Sequence, residues 1–322
     1  MAQNKKIDVA VLGEILIDFT YQGLSKNNQK LFAQNAGGAP ANAAVVISKL
    51  GGKSAFIGKA GDDMHGHFLK NVLENENVNT EGFVIDDKYF TTLAFVDLNE
   101  KGERTFSFAR KHSADIMLDK DDINMDIIEN TQIFHVGSLS LTDEPSKGAT
   151  YFAVEKAKEN GATISYDPNY RSSLWKNEYE AKETMRSMIE YADVMKISDE
   201  ETALLTDFAE PEKAGKFLVN KGVKIAVVTL GGDGACVCTK HGVKIVSGFK
   251  SNVVDTTGAG DSFWGGFLYK LSQSGKNPDE VTLDEACEFA RFGNAVASIC
   301  VEGFGAIPSM PSMEDVIKRM KM

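Results

Sequence analysis

The chain has 322 residues, 43% of them hydrophobic and 25% charged, with a formal charge of −11. That length and balance allow a sizeable core and exclude a disordered chain, while the negative charge disfavours nucleic acid or an anionic membrane surface as partner. No apolar run approaches the roughly 18 residues of a membrane span, and the polar start over residues 1–6 lacks a signal-peptide pattern, so a cytoplasmic protein is expected.

In chain order, residues 7–13 form an apolar run bounded by charge and glycine, the pattern of a buried parallel strand. Residues 15–20 alternate instead, as a half-exposed strand does. Helical spacing over 39–50 stops at Gly51 and Gly52, and 53–59 is the next strand. Residues 62–73 read as a helix start, which makes His65 and His67 surface residues rather than metal ligands. Two more alternating stretches, 93–98 and 104–108, flank a hairpin turn at 99–102. Strand then alternates with helix: 133–137 before 147–160, 162–167 before 179–191, 194–197 before 200–206, and finally 223–230. Such alternation predicts an α/β fold with a doubly wound, mostly parallel central sheet and helices on both faces. The alternating stretches have no crossover helix, so they predict a small accessory sheet, or else an extension of the main sheet's edge. Cys236 and Cys238 alternate on a strand while Cys287 and Cys300 lie in helical sequence; none has metal-site spacing, and buried free thiols are expected.

The segment from Val253 to Phe263 carries the most chemistry. Asp255-Thr256-Thr257-Gly258-Ala259-Gly260-Asp261 leads into a helix with Phe263, Phe267, Leu268 and Leu271 on one face. Gly258 and Gly260 let backbone approach a ligand with no Cβ in the way. Amides at a helix N-terminus then favour an anion, and suit a phosphoryl group whose charge grows during transfer. Asp261 in the first turn can take the proton of an attacking hydroxyl. The structural alternative is a strand-to-helix turn with an acidic cap. Other nucleotide motifs fail. Gly52-Lys53-Ser54 resembles the end of a Walker A loop, but Ile47 replaces its first glycine, and no G-x-G-x-x-G occurs.

The 255–261 segment resembles the C-terminal signature of the ribokinase-like (PfkB) carbohydrate kinases. Gly37-Gly38-Ala39-Pro40-Ala41-Asn42, continuing to Gly58-Lys59-Ala60-Gly61-Asp62-Asp63, resembles the N-terminal one. The resemblance covers essentially the whole chain. It implies one kinase domain over 1–322, with a β-sheet lid from about 14–36 and 90–112. It implies ATP and a small-molecule sugar as ligands, with Mg²⁺ and K⁺ as cofactors. Asp261 would be the base, with Gly258, Ala259 and Gly260 as the anion hole. Asp18, Gly37, Gly38 and Asn42 would bind the sugar, although Asn42 could instead cap the following helix. Lys196 to Glu201 is similar to the family's N-x-x-E region, with Ser198 in place of asparagine; Glu201 would reach Mg²⁺ through water. Thr229, Gly231 and Gly234 match the ATP-side loop, a plain hairpin turn being the alternative. Asn294 matches a position near the adenine. Asp255 and Thr257 match a monovalent-cation loop, with Gly305 and Ser309 close by.

Within that family, Asp167-Pro168-Asn169-Tyr170-Arg171 resembles a segment of fructokinases and 2-keto-3-deoxygluconate kinases. Asn169 and Arg171 would contact substrate, and Phe95 and Phe106 on the lid strands would cover its ring. The expected reaction is phosphorylation of D-fructose at its 6-hydroxyl; 2-keto-3-deoxygluconate comes next, then ribose and nucleosides. A non-catalytic sugar or nucleotide sensor is the alternative from another class. An exposed lid edge could pair two copies into a homodimer.

Overall fold

The computed structural model describes residues 5–98 and 104–322. Its strands are β1 (Ile7–Leu12), β2 (Leu16–Leu24), β3 (Lys30–Gly37), β4 (Ser54–Gly61), β5 (Asn79–Asp86), β6 (Leu93–Leu98), β7 (Arg104–Ala109), β8 (Thr131–Val136), β9 (Thr163–Tyr166), β10 (Val194–Ser198), β11 (Ile225–Thr229), β12 (Gly234–Thr239) and β13 (Gly242–Ser247). Nine of them form one sheet, in the order β13-β12-β11-β10-β9-β8-β1-β4-β5. All pairs from β5 through β11 are parallel; at the other edge the pairs β11–β12 and β12–β13 are antiparallel, so β12 alone is reversed among the described strands of this sheet.

Alternation along each strand divides the interior in two. Val9 and Val11 enter one core with the helices Ala39–Lys49, Ala259–Ser274 and Leu283–Cys300. Ala10 and Leu12 enter the other with Ser146–Glu159, Glu178–Met188 and Pro211–Asn220. Near-continuous apolar strands are what a sheet covered on both faces requires. Cys236 and Cys238 share the second core, and the four cysteines are free. No helix among the described residues is long and apolar enough to cross a membrane.

The remaining four strands form a separate sheet of order β3-β2-β6-β7, not an extension of the main one. β2 with β3 and β6 with β7 are antiparallel, but the central pair β2 and β6 is parallel. These two strands enter from the same direction because a long stretch, including β4 and β5, intervenes between them. Strand β3 was not read from the sequence, since Lys30-Leu31-Phe32-Ala33-Gln34-Asn35 has no strict alternation. The hairpin turn expected at 99–102 lies outside the described residues. The helix expected from 62 is Met64–Asn75, capped by Asp63, which accepts from His65 N and Gly66 N. His67 is exposed against Asp62, but His65 is half-buried beside the Phe19 ring, so only one of the two histidines is a plain surface residue.

Candidate active site

A cleft of ≈ 580 Å³ lies at the carboxyl ends of β1, β9, β10 and β11, under one face of the small sheet. Ligands of open α/β sheets bind at those ends, because chain leaving parallel strands there converges on one crevice.

Seven consecutive residues, 255–261, form one end. Gly258 is left-handed at φ 79° and opens the helix Ala259–Ser274; a Cβ on it would lie 2.5 Å from the Ala306 Cβ. A Cβ on Gly260 would lie 3.2 Å from Lys196 Nζ, so bare backbone faces that ammonium. The buried Asp255 carboxylate accepts from Thr257 N at 2.8 Å, Thr257 Oγ1 at 2.7 Å and Gly305 N at 3.0 Å. Its side chain therefore pins the turn from within and ties it to the later loop. Ser309 bonds the Phe304 carbonyl in that loop at 3.0 Å.

Asp261 stands in the first turn, half-buried. Its Oδ2 accepts from Asn42 Nδ2 at 2.8 Å, and its Oδ1 from Asn169 Nδ2 at 3.4 Å. Asn42 lies inside the helix Ala39–Lys49, whose cap is Gly38, so the capping alternative fails and its amide is free to serve the aspartate. Asn169 sits at φ 48°, a left-handed position that asparagine tolerates. Burial raises the Asp261 pKa; the Asn42 hydrogen bond opposes this, Asp167 adds to it, and the Lys196 and Arg171 charges oppose it.

Lys196 is buried and bonds Asp167 Oδ2 at 2.7 Å. Burial alone would lower its pKa, but the Asp167 and Glu201 carboxylates outweigh that and raise it, so it stays a cation. Glu201 is also buried. Its Oε1 accepts from Tyr170 N at 2.7 Å, and its Oε2 from Ser198 N at 2.8 Å and Ser198 Oγ at 3.1 Å. Ser198 thus replaces asparagine with a compact cap. Thr229 and Gly231 line the cleft where β11 ends.

The other end is assembled from distant segments. Asp18 on β2 has its pKa pushed up to about 6, mainly by burial; Arg171 opposes the shift, and Asp261 and Asp255 add to it. Gly38 is at φ 113°, and a Cβ there would strike the Glu14 carbonyl at 2.5 Å. Arg171 is exposed, borders the cleft and donates to the Tyr170 carbonyl at 3.2 Å.

Four expected contacts, Gly37, Phe95, Gly234 and Asn294, are placed differently. Gly37 does not line the cleft but makes room for Asp18, whose Oδ2 would lie 2.1 Å from a Cβ on it. Phe95 points to the opposite face of the small sheet and stacks on Phe19 at 5.2 Å; strand alternation instead gives the cleft Val96 and Phe108. Phe106 is opposite Val96 in the register, but its side chain is outside the described residues. Gly234 is the turn glycine of the β11–β12 hairpin, packed against the Val246 carbonyl and away from the cleft. Asn294 is held by the Val246 and Ser247 carbonyls, each at 3.2 Å, and is not a cleft residue.

Several lining residues, among them Leu16, Thr20, Val96, Phe108 and Leu139, were not expected, and Glu14 is the one with the most chemistry. Glu14 is buried, with Oε1 accepting from Ala39 N at 3.0 Å and Oε2 without a partner. Burial pushes its pKa up to about 7, against backbone hydrogen bonds and the Arg110 charge. An acid inside the otherwise apolar run from Val9 to Ile17 was the available signal.

The chain resembles known proteins along nearly all of its length. It is 44% identical to the probable fructokinase-5 of Arabidopsis thaliana, over 97% of each chain. Its fold superposes on the fructokinase with bound ATP from Xylella fastidiosa with a TM-score of 0.89, at 32% identity and 98% of each chain. The fructokinase of Vibrio cholerae O395 in its fructose-, ADP- and calcium-bound form matches with a TM-score of 0.86, at 34% identity over 97% of this chain and 98% of that one. The model of the pfkB family carbohydrate kinases matches residues 6–313, and the chain belongs to that family.

Proposed function

We propose that the protein transfers the γ-phosphoryl group of ATP to the 6-hydroxyl of D-fructose, with Asp261 as general base. The observation that carries this is the Asp261 carboxylate, held by Asn42 and Asn169 where a helix opens on glycine backbone. The sugar hydroxyl oxygen attacks the γ-phosphorus, its proton passes to Asp261, and the bond to the bridging oxygen of ADP breaks. The amides of Gly258, Ala259, Gly260 and Asp261 and the Lys196 ammonium take up the charge that develops. Thr229 and Gly231 face the nucleotide. Asp18, Gly38, Asn42, Asn169 and Arg171 face the sugar, whose hydroxyls an aspartate and amides can satisfy together.

A neutral sugar fits better than a sugar acid. Lys196 is tied to Asp167 and Arg110 to Asp115, so Arg171 alone among these cations borders the cleft without a carboxylate bonded to it. A substrate carboxylate would meet Glu14, Asp18 and Asp261 instead. The relatives named fructokinases support the same substrate.

Among the described residues, no three carboxylate, histidine or cysteine side chains gather into a metal site. Both Glu201 oxygens already accept hydrogen bonds, so this residue suits Mg²⁺ held through water. When bound, Mg²⁺ would neutralise the phosphate oxygens during transfer. The buried negative charge of Asp255, with Thr257 beside it, suits a neighbouring K⁺. We read residues 1–322 as one kinase domain with the small sheet as its lid. That sheet exposes Leu24, Leu31 and Phe32 around its outer strand, a surface on which two copies could pair. Four free cysteines are in keeping with a cytoplasmic setting.

The test is ADP release with fructose, 2-keto-3-deoxygluconate, ribose, tagatose and adenosine side by side. Fructose should give the highest kcat/KM. A preference for the sugar acid or the nucleoside would overturn the substrate, and binding without any ADP release would make the protein a sensor.

A further inference from the structure

The geometry points to Glu14 as a determinant of sugar recognition: its Oε2 is an acceptor for a hydroxyl of the substrate other than the one that reacts. This rests on the sugar-kinase reading above and deepens it.

Glu14 is 3% exposed, yet it lines the cleft. Its two oxygens have different surroundings. Oε1 accepts from Ala39 N at 3.0 Å and so fixes the carboxyl against the start of the helix Ala39–Lys49. Oε2 is buried with no hydrogen-bond partner. A buried carboxylate oxygen left unsatisfied is costly, and a site built around one favours a ligand that donates to it. Placement says which part of the ligand that is. Glu14 is bonded by the Ala39 amide at the start of the helix Ala39–Lys49, whereas Asp261 is bonded by the side chains of Asn42 and Asn169. Glu14 and Asp261 thus meet the cleft through different partners, and the free oxygen of Glu14 is assigned to a hydroxyl other than the one whose proton Asp261 takes. The surrounding backbone is arranged for it: Gly38 lets the chain pass within contact of the Glu14 carbonyl, where any Cβ would clash.

A contact to a non-reacting hydroxyl is made equally in ground and transition states, so its loss raises KM and leaves kcat nearly unchanged. A purely structural role, capping Ala39 N, is preserved in Glu14→Gln, whose amide oxygen can still accept that N–H. The variant is compared with wild type at pH 8, using whichever sugar wild type turns over best, so that failure on fructose does not decide the outcome for Glu14. Glu14→Gln should raise the sugar KM by roughly 10-fold or more, with KM for ATP and kcat close to wild type and Tm no lower than wild type. A monodeoxy series supplies the second measurement and is independent of whether the variant folds. One non-reacting deoxy position should raise the wild-type KM by a similar factor, and should cost Glu14→Gln far less. A sugar KM within about twofold of wild type in a stable Glu14→Gln would overturn the assignment. So would a deoxy series in which no non-reacting position raises the wild-type KM.

Discussion

The phosphoryl end of the cleft is one uninterrupted stretch of chain, residues 255–261, whereas the sugar end is gathered from β1, β2 and the loops after β8 and β9. The first is shaped by its own backbone: glycines at 258 and 260, with Asp255 bonding forward to Thr257 and Gly305. The second is shaped by side chains that meet only after folding, such as Asn42, whose amide lies 2.8 Å from an aspartate 219 positions later. Chemistry common to a whole family can therefore be carried by a local motif, while choice of substrate depends on long-range assembly.

Substitutions at the two ends should separate in kinetics. The largest effect belongs to Asp261→Asn, which removes the proton acceptor: kcat should fall about 10²- to 10⁴-fold with sugar affinity little changed. Next is Asn42→Ala, which removes the closer donor to Asp261. That hydrogen bond holds the Asp261 pKa down, so its loss should move the acid limb of the kcat profile to higher pH, and kcat at neutral pH should fall about 10-fold or more. An acid limb that stays put would detach Asn42 from the base. Gly37→Ala acts at the sugar end only. Its methyl would displace the Asp18 carboxylate, so the sugar KM should rise several-fold, about 3- to 10-fold, while KM for ATP is unaffected.

The smallest effect is on stability. Folding raises the Glu14 pKa from 4.5 to about 7, against Arg110 and alongside Asp115. The favourable contribution of the protonated form is complete below pH 4.5 and is lost as pH rises through about 7. The ligand-free protein should therefore lose Tm between about pH 4.5 and about pH 7, and Glu14→Gln should lose less. Equal losses in the two proteins would remove Glu14 from that balance.

The same contrast explains what the sequence disclosed. Apolar strands alternating with helices marked the doubly wound sheet, because burial on both faces is written into each strand. The anion hole and Asp261 were legible because glycine positions and the acid are contiguous. Phe95 was misplaced because register within the small sheet, not composition, decides which face meets the cleft. Asn294 and Gly234 were assigned to ligand by likeness, yet both hold the β13 backbone. Glu14 interrupts an apolar run, but what it bonds there depends on a helix start 25 positions later, which the run itself does not report.

A crystal structure with fructose and a non-hydrolysable ATP analogue tests the central claim most directly. It should place the fructose 6-oxygen about 2.6–3.2 Å from an Asp261 carboxylate oxygen, with the γ-phosphate on the amides of Gly258 to Asp261. A sugar whose nearest carboxylate to the γ-phosphate is another residue, with Asp261 turned away from it, would contradict the account.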